Sequence, residues 1–316
     1  MSDPQCTADV LMIRPAGFGA NEQTAASNRF QQGMPLGIDA RQAALAEFDA
    51  VVAALRNAGV RVHLFDDTAS PRKPDALFPN NWVSFHADGT IVLYPMLAPN
   101  RRAERRLDIL ESLARLGAFH VNRVIDLGPR ENDGLFLEGT GSLVLDRTHR
   151  IAYACLSPRT SVRLLGEFGQ LLDYEVVAFE ASDPLGHPIY HTNVMMNVGE
   201  RYAAICMQAV REDQRAGILD ALRSTGHRVI ELSFEQVGAF AGNALELDTD
   251  SDRHIVCMSQ RALESLTVEQ REELAVLGGP LVAVPIPTIE TLGGGSLRCM
   301  VAEIHLPEHL NRSAAR

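Results

Sequence analysis

Three short apolar segments recur along the chain at a constant interval. Each contains a cysteine, and Cys155, Cys206 and Cys257 are separated by equal steps of 51 residues. Apolar residues at helical spacing follow each segment and predict helices over about 160–172, 211–225 and 260–275. Each predicted helix leads into a short β-rich segment and then into a longer strand. The chain is therefore built from units of ~50–60 residues, a period typical of repeat architectures.

The same unit extends toward the N-terminus. Helical patterns over 40–59 and 103–117 each precede three predicted strands, which brings the number of units to five. The last unit lacks its third strand, and the unpaired N-terminal strand over 9–15 can supply it. Joining the two ends covers the edges that an open array would expose. The sequence therefore predicts an α/β ring of five units over one domain, 1–316, closed by the N-terminal strand.

The composition is that of a globular protein, with 46% hydrophobic and 22% charged residues among 316. A net charge of -11 argues against nucleic acid or an anionic membrane as the partner. The sequence has no apolar run of transmembrane length and no signal-peptide pattern, so we expect a cytoplasmic protein. The five cysteines are widely spaced without a CxxC pair, which argues against a disulfide framework and a structural zinc site.

One cysteine stands outside the repeat. Cys155, Cys206 and Cys257 occupy equivalent strand ends, which small apolar packing explains, and Cys6 lies in a polar N-terminal tail with no evident role. Cys299 follows three glycines at the predicted start of a central strand. Glycines let backbone and substrate approach closely, so Cys299 is either an ordinary buried residue or a nucleophile.

A nucleophilic thiol needs a base or a cation nearby. His305 lies on the same predicted strand face, but the intervening residues place it about 20 Å away, too far for a hydrogen bond. In a ring, equivalent positions of different units converge on the axis. The polar residues at the equivalent positions of the other inner strands are Asn80, Asn81, Glu138, His191, Asn193 and Asn243.

These polar residues also have ordinary structural explanations. His191 alone fits a hydrogen-bonded structural histidine, and Glu138 fits a surface charge at a strand end. Asn193 and Asn243 fit turn or capping positions, because asparagine readily bonds its own backbone. Their recurrence at one phase of the repeat favours a shared site with a thiol nucleophile, a histidine acid and base, and a carboxylate. For Asn243 we retain the structural role.

The motifs that carry these residues resemble one known superfamily. FPNNW, FLEGTGS, YHTNV, GNALELD and GGGSLRCM together resemble the guanidino-group-modifying enzymes, or penteins, over nearly the whole chain. The N-terminal MIRPAGFGANEQTAASNRFQ is most similar to the branch of citrulline utilization hydrolases, or citrulline ureidases. The fold that this resemblance implies is a five-bladed pseudo-symmetric α/β propeller, which agrees with the ring expected from the repeat.

The resemblance also implies a role for each matching residue. Cys299 matches the nucleophile, His191 the general acid and base, and Glu138 the carboxylate that holds a substrate nitrogen and orients the histidine. The substrate-binding candidates are Asn21, Asn81, Asn193, Arg159, which resembles the position that holds the substrate carboxylate in deiminases, and Arg298, a second candidate for that carboxylate or for stabilising the thiolate. No metal or organic cofactor is implied.

The chain departs from the arginine deiminases at two positions, where they carry aspartate and this chain carries Asn81 and Asn193. A carboxylate suits a guanidinium, which offers only donors. Facing the carbonyl oxygen of a ureido group, a carboxylate would leave two acceptors opposed, a mismatch of about 1–3 kcal/mol or more. Asparagine offers both a donor and an acceptor. The departure therefore favours a ureido substrate or a ureido intermediate.

We therefore expect a cysteine-dependent hydrolase that converts citrulline to ornithine, ammonia and carbon dioxide. The alternatives are an arginine deiminase or arginine dihydrolase, an amidinotransferase, which would need an amine acceptor, and a non-catalytic amino-acid-binding protein. The expected partner is a small amino acid, and a homo-oligomer remains open.

Overall fold

The two ends of the chain meet in one sheet. The computed structural model describes residues 3–25, 27–32, 39–115 and 119–308. The central strand of this sheet is β1 (Asp9–Arg14), which pairs in parallel with β2 (Arg61–Asp66) and antiparallel with β15 (Ala302–Glu303). The N-terminal strand thus completes the last unit, and the predicted closure is confirmed.

The other four sheets follow the same plan. An inner strand runs antiparallel to a middle strand, which runs parallel to an outer strand reached through helical segments. In the order inner, middle and outer, the strands are β3 Val83–Phe85, β4 Thr90–Leu93 and β5 Arg123–Asp126; β6 Val144–Asp146, β7 Ile151–Cys155 and β8 Glu175–Phe179; β9 Met196–Val198, β10 Tyr202–Ile205 and β11 Arg228–Glu231; β12 Leu245–Asp248, β13 His254–Ser259 and β14 Leu281–Val284. Consecutive sheets contact one another around the ring.

The helices lie between the middle and outer strands or in the connections between sheets. They are α1 Glu22–Ala25, α2 Ala40–Asn57, α3 Leu107–Arg115, α4 Gly139–Ser142, α5 Val162–Leu172, α6 Arg215–Ser224, α7 Phe234–Gly238, α8 Gln260–Ser265, α9 Val268–Gly278 and α10 Pro287–Gly293. Among the described residues, no helix combines the length and apolar character needed to cross a membrane.

One predicted helix is wrong in detail, because the pattern over 260–275 folds as two helices, α8 and α9. The side chain of Thr267 accepts a hydrogen bond from Gln270 N, and the Gln270 side chain accepts one from Thr267 N. This reciprocal capping starts a new helix inside the apolar pattern. The predicted helix over 103–117 begins at α3, and residues 116–118 lie outside the described residues.

The cysteines of the repeat are packing residues. Cys155 and Cys257 are fully buried, and their thiols donate to carbonyl oxygens of Ile189 and Leu245 at 3.4 and 3.3 Å. Burial raises the pKa of both thiols to about 12, so they remain protonated. This matches the role expected from their equivalent positions.

The inner strands are shorter than the sequence predicts, because a single helical turn precedes four of them. These turns are Pro79–Asn81, α4, Thr192–Val194 and Leu297–Met300. At Gly139, φ is +46°, and a Cβ there would lie 2.2 Å from Asn80 O, so the close approach of neighbouring turns requires glycine. The turns of neighbouring sheets contact one another and bring the polar residues of the motifs together.

Candidate active site

His191 and Glu138 form a buried pair between two neighbouring turns. Nε2 of His191 lies 2.9 Å from Oε2 of Glu138, and both residues are almost completely buried. The other carboxylate oxygen of Glu138 accepts a hydrogen bond from Leu97 N at 3.0 Å. The imidazole is therefore held by a carboxylate that is itself fixed by the backbone.

The charges around this pair set the state of the imidazole. Burial favours a neutral Glu138, but Arg159, His191 and Arg101 together outweigh it and hold the pKa of Glu138 well below its usual range. The ionised carboxylate can only accept, so His191 carries its proton on Nε2 and keeps the lone pair of Nδ1. Burial, only partly offset by Glu138, lowers the pKa of His191 to about 4, which leaves the ring neutral and able to act as a base.

Two amides donate to the thiol of Cys299. Its Sγ accepts from Nδ2 of Asn243 at 3.2 Å and from Nδ2 of Asn193 at 3.4 Å. The sequence predicts Cys299 at the start of a strand, whereas the structure places it in the turn Leu297–Met300. Asn243 was expected to be only structural. It also donates to Asn193 O at 3.0 Å, so it both supports the turn and contacts the thiol.

The thiol and the imidazole line one small cavity. Its volume is about 20 Å³, which is room for about one water molecule. The lining residues are Thr24, Asn28, Asp75, Phe78, Asn81, Arg101, Arg159, Tyr190, His191, Gly293, Gly294, Gly295 and Cys299. Of the residues that the sequence singled out, the structure thus brings Cys299, His191, Asn81 and Arg159 together. Glu138 and Asn193 contact members of this group directly.

Asn81 presents a donor whose orientation is fixed. Its Oδ1 accepts from Nη1 of Arg101 at 2.9 Å, while its Nδ2 is buried and has no hydrogen-bond partner within the described chain. Exchanging the positions of Oδ1 and Nδ2 would point the NH₂ group of Asn81 at the guanidinium of Arg101, donor against donor, so the NH₂ group is the one left without a partner. A Cβ at Gly141 would lie 2.5 Å from this Nδ2 and 2.7 Å from Nδ1 of His191, which places both nitrogens beside the same glycine.

Asn21 contacts a residue of the cavity wall without lining the cavity itself. Its Nδ2 donates to Oδ2 of Asp75 at 2.7 Å, and its Oδ1 accepts from Nδ2 of Asn100 at 2.7 Å. Asn21 is not among the lining residues, whereas Asp75 is. The structure therefore gives Asn21 a positioning contact where the sequence expected a substrate contact.

Arg298 does not face the thiol, contrary to the sequence expectation. Its guanidinium donates to Val301 O at 3.0 Å and to Oε2 of Glu303 at 2.5 Å. With Arg147 and Glu303 it lines a separate small cavity. Arg298 is thus paired with Glu303 and does not line the cavity of Cys299, so the structure gives no support to the expectation that it holds the substrate carboxylate or the thiolate.

The sequence motifs do not indicate two charged residues of the cavity, Arg101 and Asp75. Arg101 is buried and pairs with Glu104, its Nε lying 3.0 Å from Oε1. Asp75 is buried as well, and its Oδ1 has no hydrogen-bond partner among the described residues. Burial raises the pKa of Asp75, despite the nearby Arg101. Asp75 lies in a loop and Arg101 in the short 3₁₀ helix Pro99–Glu104, both outside the predicted repeat elements. Arg101 is also one of four arginines within 101–106, so no periodic pattern indicates either residue.

A family model described as "N,N dimethylarginine dimethylhydrolase, eukaryotic" matches residues 14–306. The chain belongs to this family. The expected resemblance to the guanidino-group-modifying superfamily is thereby confirmed. Among curated protein sequences, none matches the chain significantly.

Solved structures show the fold of the family. The N-terminal domain of ArgZ, described as a cyanobacterial arginine dihydrolase bound to its substrate, is 18% identical, with a TM-score of 0.72 over 94% of this chain and 97% of that domain. Full-length ArgZ gives a TM-score of 0.73 at 18% identity over 96% of this chain, which spans only 41% of that protein. A dimethylarginine dimethylaminohydrolase gives 0.64 at 17% identity over 96% of this chain and all of that one, 100%. The expected five-bladed α/β propeller is thereby confirmed.

Proposed function

We propose that this protein hydrolyses the ureido group of citrulline, with Cys299 as the nucleophile. The observation that supports this substrate best is the amide of Asn81. Arg101 occupies its acceptor, so it offers the cavity a buried, unpartnered donor within the described residues. A ureido oxygen accepts from such a donor, whereas a guanidinium has no acceptor to give it.

The proposed first half-reaction forms a covalent adduct. Nδ1 of His191 accepts the thiol proton, and Sγ of Cys299 attacks the ureido carbon. Asn193 and Asn243, which donate to Sγ in the free protein, stabilise the thiolate before the attack. The imidazolium, paired with Glu138, then protonates the terminal nitrogen. The C–N bond breaks, ammonia leaves, and ornithine remains attached to Cys299 through a thiocarbamate.

The proposed second half-reaction consumes one water. His191 removes a proton from water, the hydroxide adds to the thiocarbamate carbon, and the C–S bond breaks to regenerate the thiol. The released carbamate of ornithine decomposes to ornithine and carbon dioxide. Citrulline and water thus give ornithine, ammonia and carbon dioxide, with no oxidant or second substrate.

We assign the α-carboxylate of the substrate to Arg159. Its Nη2 donates to Ser27 Oγ at 2.7 Å, its guanidinium carbon lies 5.0 Å from the centre of the Tyr190 ring, and the residue lines the cavity. Arg101 lies 2.9–3.8 Å from three carboxylates, those of Glu104, Asp75 and Glu138. Within the described residues Arg159 has one ion pair, with Glu138 at 3.3 Å. Arg159 is therefore the cation better able to attract an additional carboxylate.

Arginine is the second candidate substrate, and one observation favours it. Asp75 lines the cavity with a carboxylate oxygen that has no hydrogen-bond partner in the described part of the chain, and a carboxylate pairs well with a guanidinium. The fold is shared with ArgZ, which is described as an arginine dihydrolase. An enzyme that accepts arginine would then release two molecules of ammonia per ornithine.

The test is to supply citrulline and arginine separately to the purified protein, without an amine acceptor, and to quantify ornithine, citrulline and ammonia. We expect one ammonia per ornithine from citrulline and slower turnover of arginine. Faster ornithine release from arginine, with two ammonia per ornithine, would instead establish a dihydrolase. Turnover only after adding an amine acceptor would indicate an amidinotransferase. Cys299→Ser is the control and should release no ornithine.

A further inference from the structure

A second cluster of polar residues lies at the seam where the N-terminal segment closes the ring. Sγ of Cys6, a carboxylate oxygen of Asp248 and a ring nitrogen of His254 all lie within 4.8 Å of one another. Cys6 precedes β1, Asp248 ends β12, and His254 begins β13. Asn243, which contacts the catalytic thiol, precedes β12, so this cluster lies at the opposite end of that strand.

A buried carboxylate oxygen and a ring nitrogen in this cluster lack hydrogen bonds. Glu246 is 3% exposed, and its Oε2 accepts from Glu200 N at 3.0 Å. Its Oε1 and the Nδ1 of His254 are both buried, and neither has a hydrogen-bond partner in the described parts of the chain, although only 2.9 Å separates them. The two atoms therefore converge without bonding to each other, as two ligands of one ion do.

The negative charge of the cluster is also poorly neutralised. Within the described residues, the ion-pair contacts of Glu200, Glu246 and Asp248 at up to 4.0 Å all involve His254, at 3.5, 2.9 and 3.3 Å. No lysine or arginine of that part of the chain is within this distance. Of the three, Glu246 is buried, whereas the side chains of Asp248 and Glu200 are 33% and 54% exposed. A buried carboxylate is expected to be paired or to coordinate a metal, and here one histidine is shared by all three carboxylates.

We propose that Cys6, Glu246, Asp248 and His254 bind one zinc ion. Thiolate, imidazole and carboxylate are the ligands that zinc takes in tetrahedral sites. Bonds of ~2.0–2.3 Å place neighbouring ligand atoms of a tetrahedron about 3.3–3.7 Å apart. The separations from Nδ1 of His254 to Oε1 of Glu246 and Oδ1 of Asp248, 2.9 and 3.3 Å, need only small adjustments to reach this geometry.

Glu200 supports the ligand from outside. Its Oε2 lies 3.5 Å from Nε2 of His254, the ring nitrogen opposite to Nδ1. Metal-bound histidines commonly donate their second N–H to a carboxylate, which fixes the tautomer and the ring orientation. This arrangement leaves the lone pair of Nδ1 for the ion.

The ion would fasten the N-terminal segment to the β12–β13 hairpin, where Asp248 N already donates to Thr7 O at 3.1 Å. The sequence assigned Cys6 to a polar tail and argued against structural zinc. In the structure Cys6 is buried, with 5% exposure. The proposed ligands come from three separate segments of the fold, so the sequence shows no CxxC spacing for this site.

The test uses cobalt(II) and zinc on the chelator-treated Cys299→Ser protein, which removes the catalytic thiol as a competing ligand. We expect one cobalt per chain, the near-ultraviolet absorption of a thiolate–cobalt bond, displacement of that band by zinc, and a zinc-dependent rise in melting temperature. Adding Cys6→Ser should abolish the band and weaken zinc binding by at least about tenfold. Adding Cys206→Ala instead should leave both unchanged.

His254→Gln, in the same Cys299→Ser background, provides the second variant, because its side chain is 35% exposed and its replacement should be tolerated by the fold. It should weaken zinc binding by a similar factor. The proposal is overturned if the Cys299→Ser protein binds neither ion stoichiometrically, or if the thiolate band survives in the Cys6→Ser variant. Zinc binding that requires Cys299 alone would also overturn it.

Discussion

Replacing Asn81 by aspartate tests the basis of the proposed substrate preference. The change keeps the acceptor that Arg101 holds at 2.9 Å and replaces the unpartnered NH₂ group by an oxygen. A ureido oxygen would then face an acceptor in a buried site, which costs about 1–3 kcal/mol. This range corresponds to a loss of about 5- to 150-fold in kcat/KM for citrulline. A guanidinium would instead gain a carboxylate partner, so the citrulline-to-arginine ratio of kcat/KM should fall by at least this factor.

The assay is ornithine release at a series of concentrations of each substrate, for the parent protein and for Asn81→Asp. The ratio of the two kcat/KM values does not depend on the folded fraction, so a partial loss of stability does not confuse the result. Asn80→Asp is the matched control, because Asn80 is an equally buried neighbour that does not line the cavity. Its ratio should be unchanged. A ratio that Asn81→Asp leaves unchanged or raises would refute the reasoning.

Three further predictions concern the base, a glycine and the loop over the site. Burial lowers the pKa of His191 to about 4, so kcat/KM should stay constant as the pH falls to about 4 and should decline below it. A decline in kcat/KM centred near pH 6.5 would contradict this. Gly141→Ala places a Cβ 2.7 Å from the imidazole of His191 and should lower kcat/KM by about 100-fold or more. The control is Gly166→Ala, where a Cβ would enter open space; it should leave kcat/KM unchanged and raise the free energy of unfolding by about 0.5–1 kcal/mol. Tyr190→Phe removes the donor that bonds Gly294 O at 2.5 Å, but Nδ2 of Asn28 still donates to that oxygen at 3.1 Å. Urea denaturation should therefore show a loss of about 0.5–1.5 kcal/mol in the free energy of unfolding, and an unchanged value would argue against this contact.

The ring can be predicted from the sequence because each unit repeats the same local hydrophobic pattern. The middle strands are mostly apolar, as in β7, and helices such as α5 are amphipathic. An unpaired first strand together with an incomplete last unit leaves one way to close the ring. The sequence does not predict the turns before the inner strands. Those turns depend on the close approach of neighbouring sheets, as at Gly139 and Asn80 O, which no single segment encodes.

The site is predictable only where its residues share the phase of the repeat. Cys299, His191 and Glu138 recur at equivalent positions and could be grouped before the structure was known. Arg101 and Asp75 also line the cavity, but they come from connecting segments that do not share this phase. Arg298 was misplaced because residues adjacent in a turn point in different directions, so nearness to Cys299 in sequence did not place its guanidinium near the thiol.

The central claim is that Cys299 forms a covalent intermediate with citrulline. The most direct measurement is acid quenching during turnover of citrulline labelled with carbon-13 in the ureido group, followed by mass spectrometry of the protein and its peptides. The mechanism predicts an adduct with the mass of citrulline minus ammonia, carrying the label on the peptide that contains Cys299. Sustained ornithine release by Cys299→Ser, or a labelled adduct on a different residue, would contradict it.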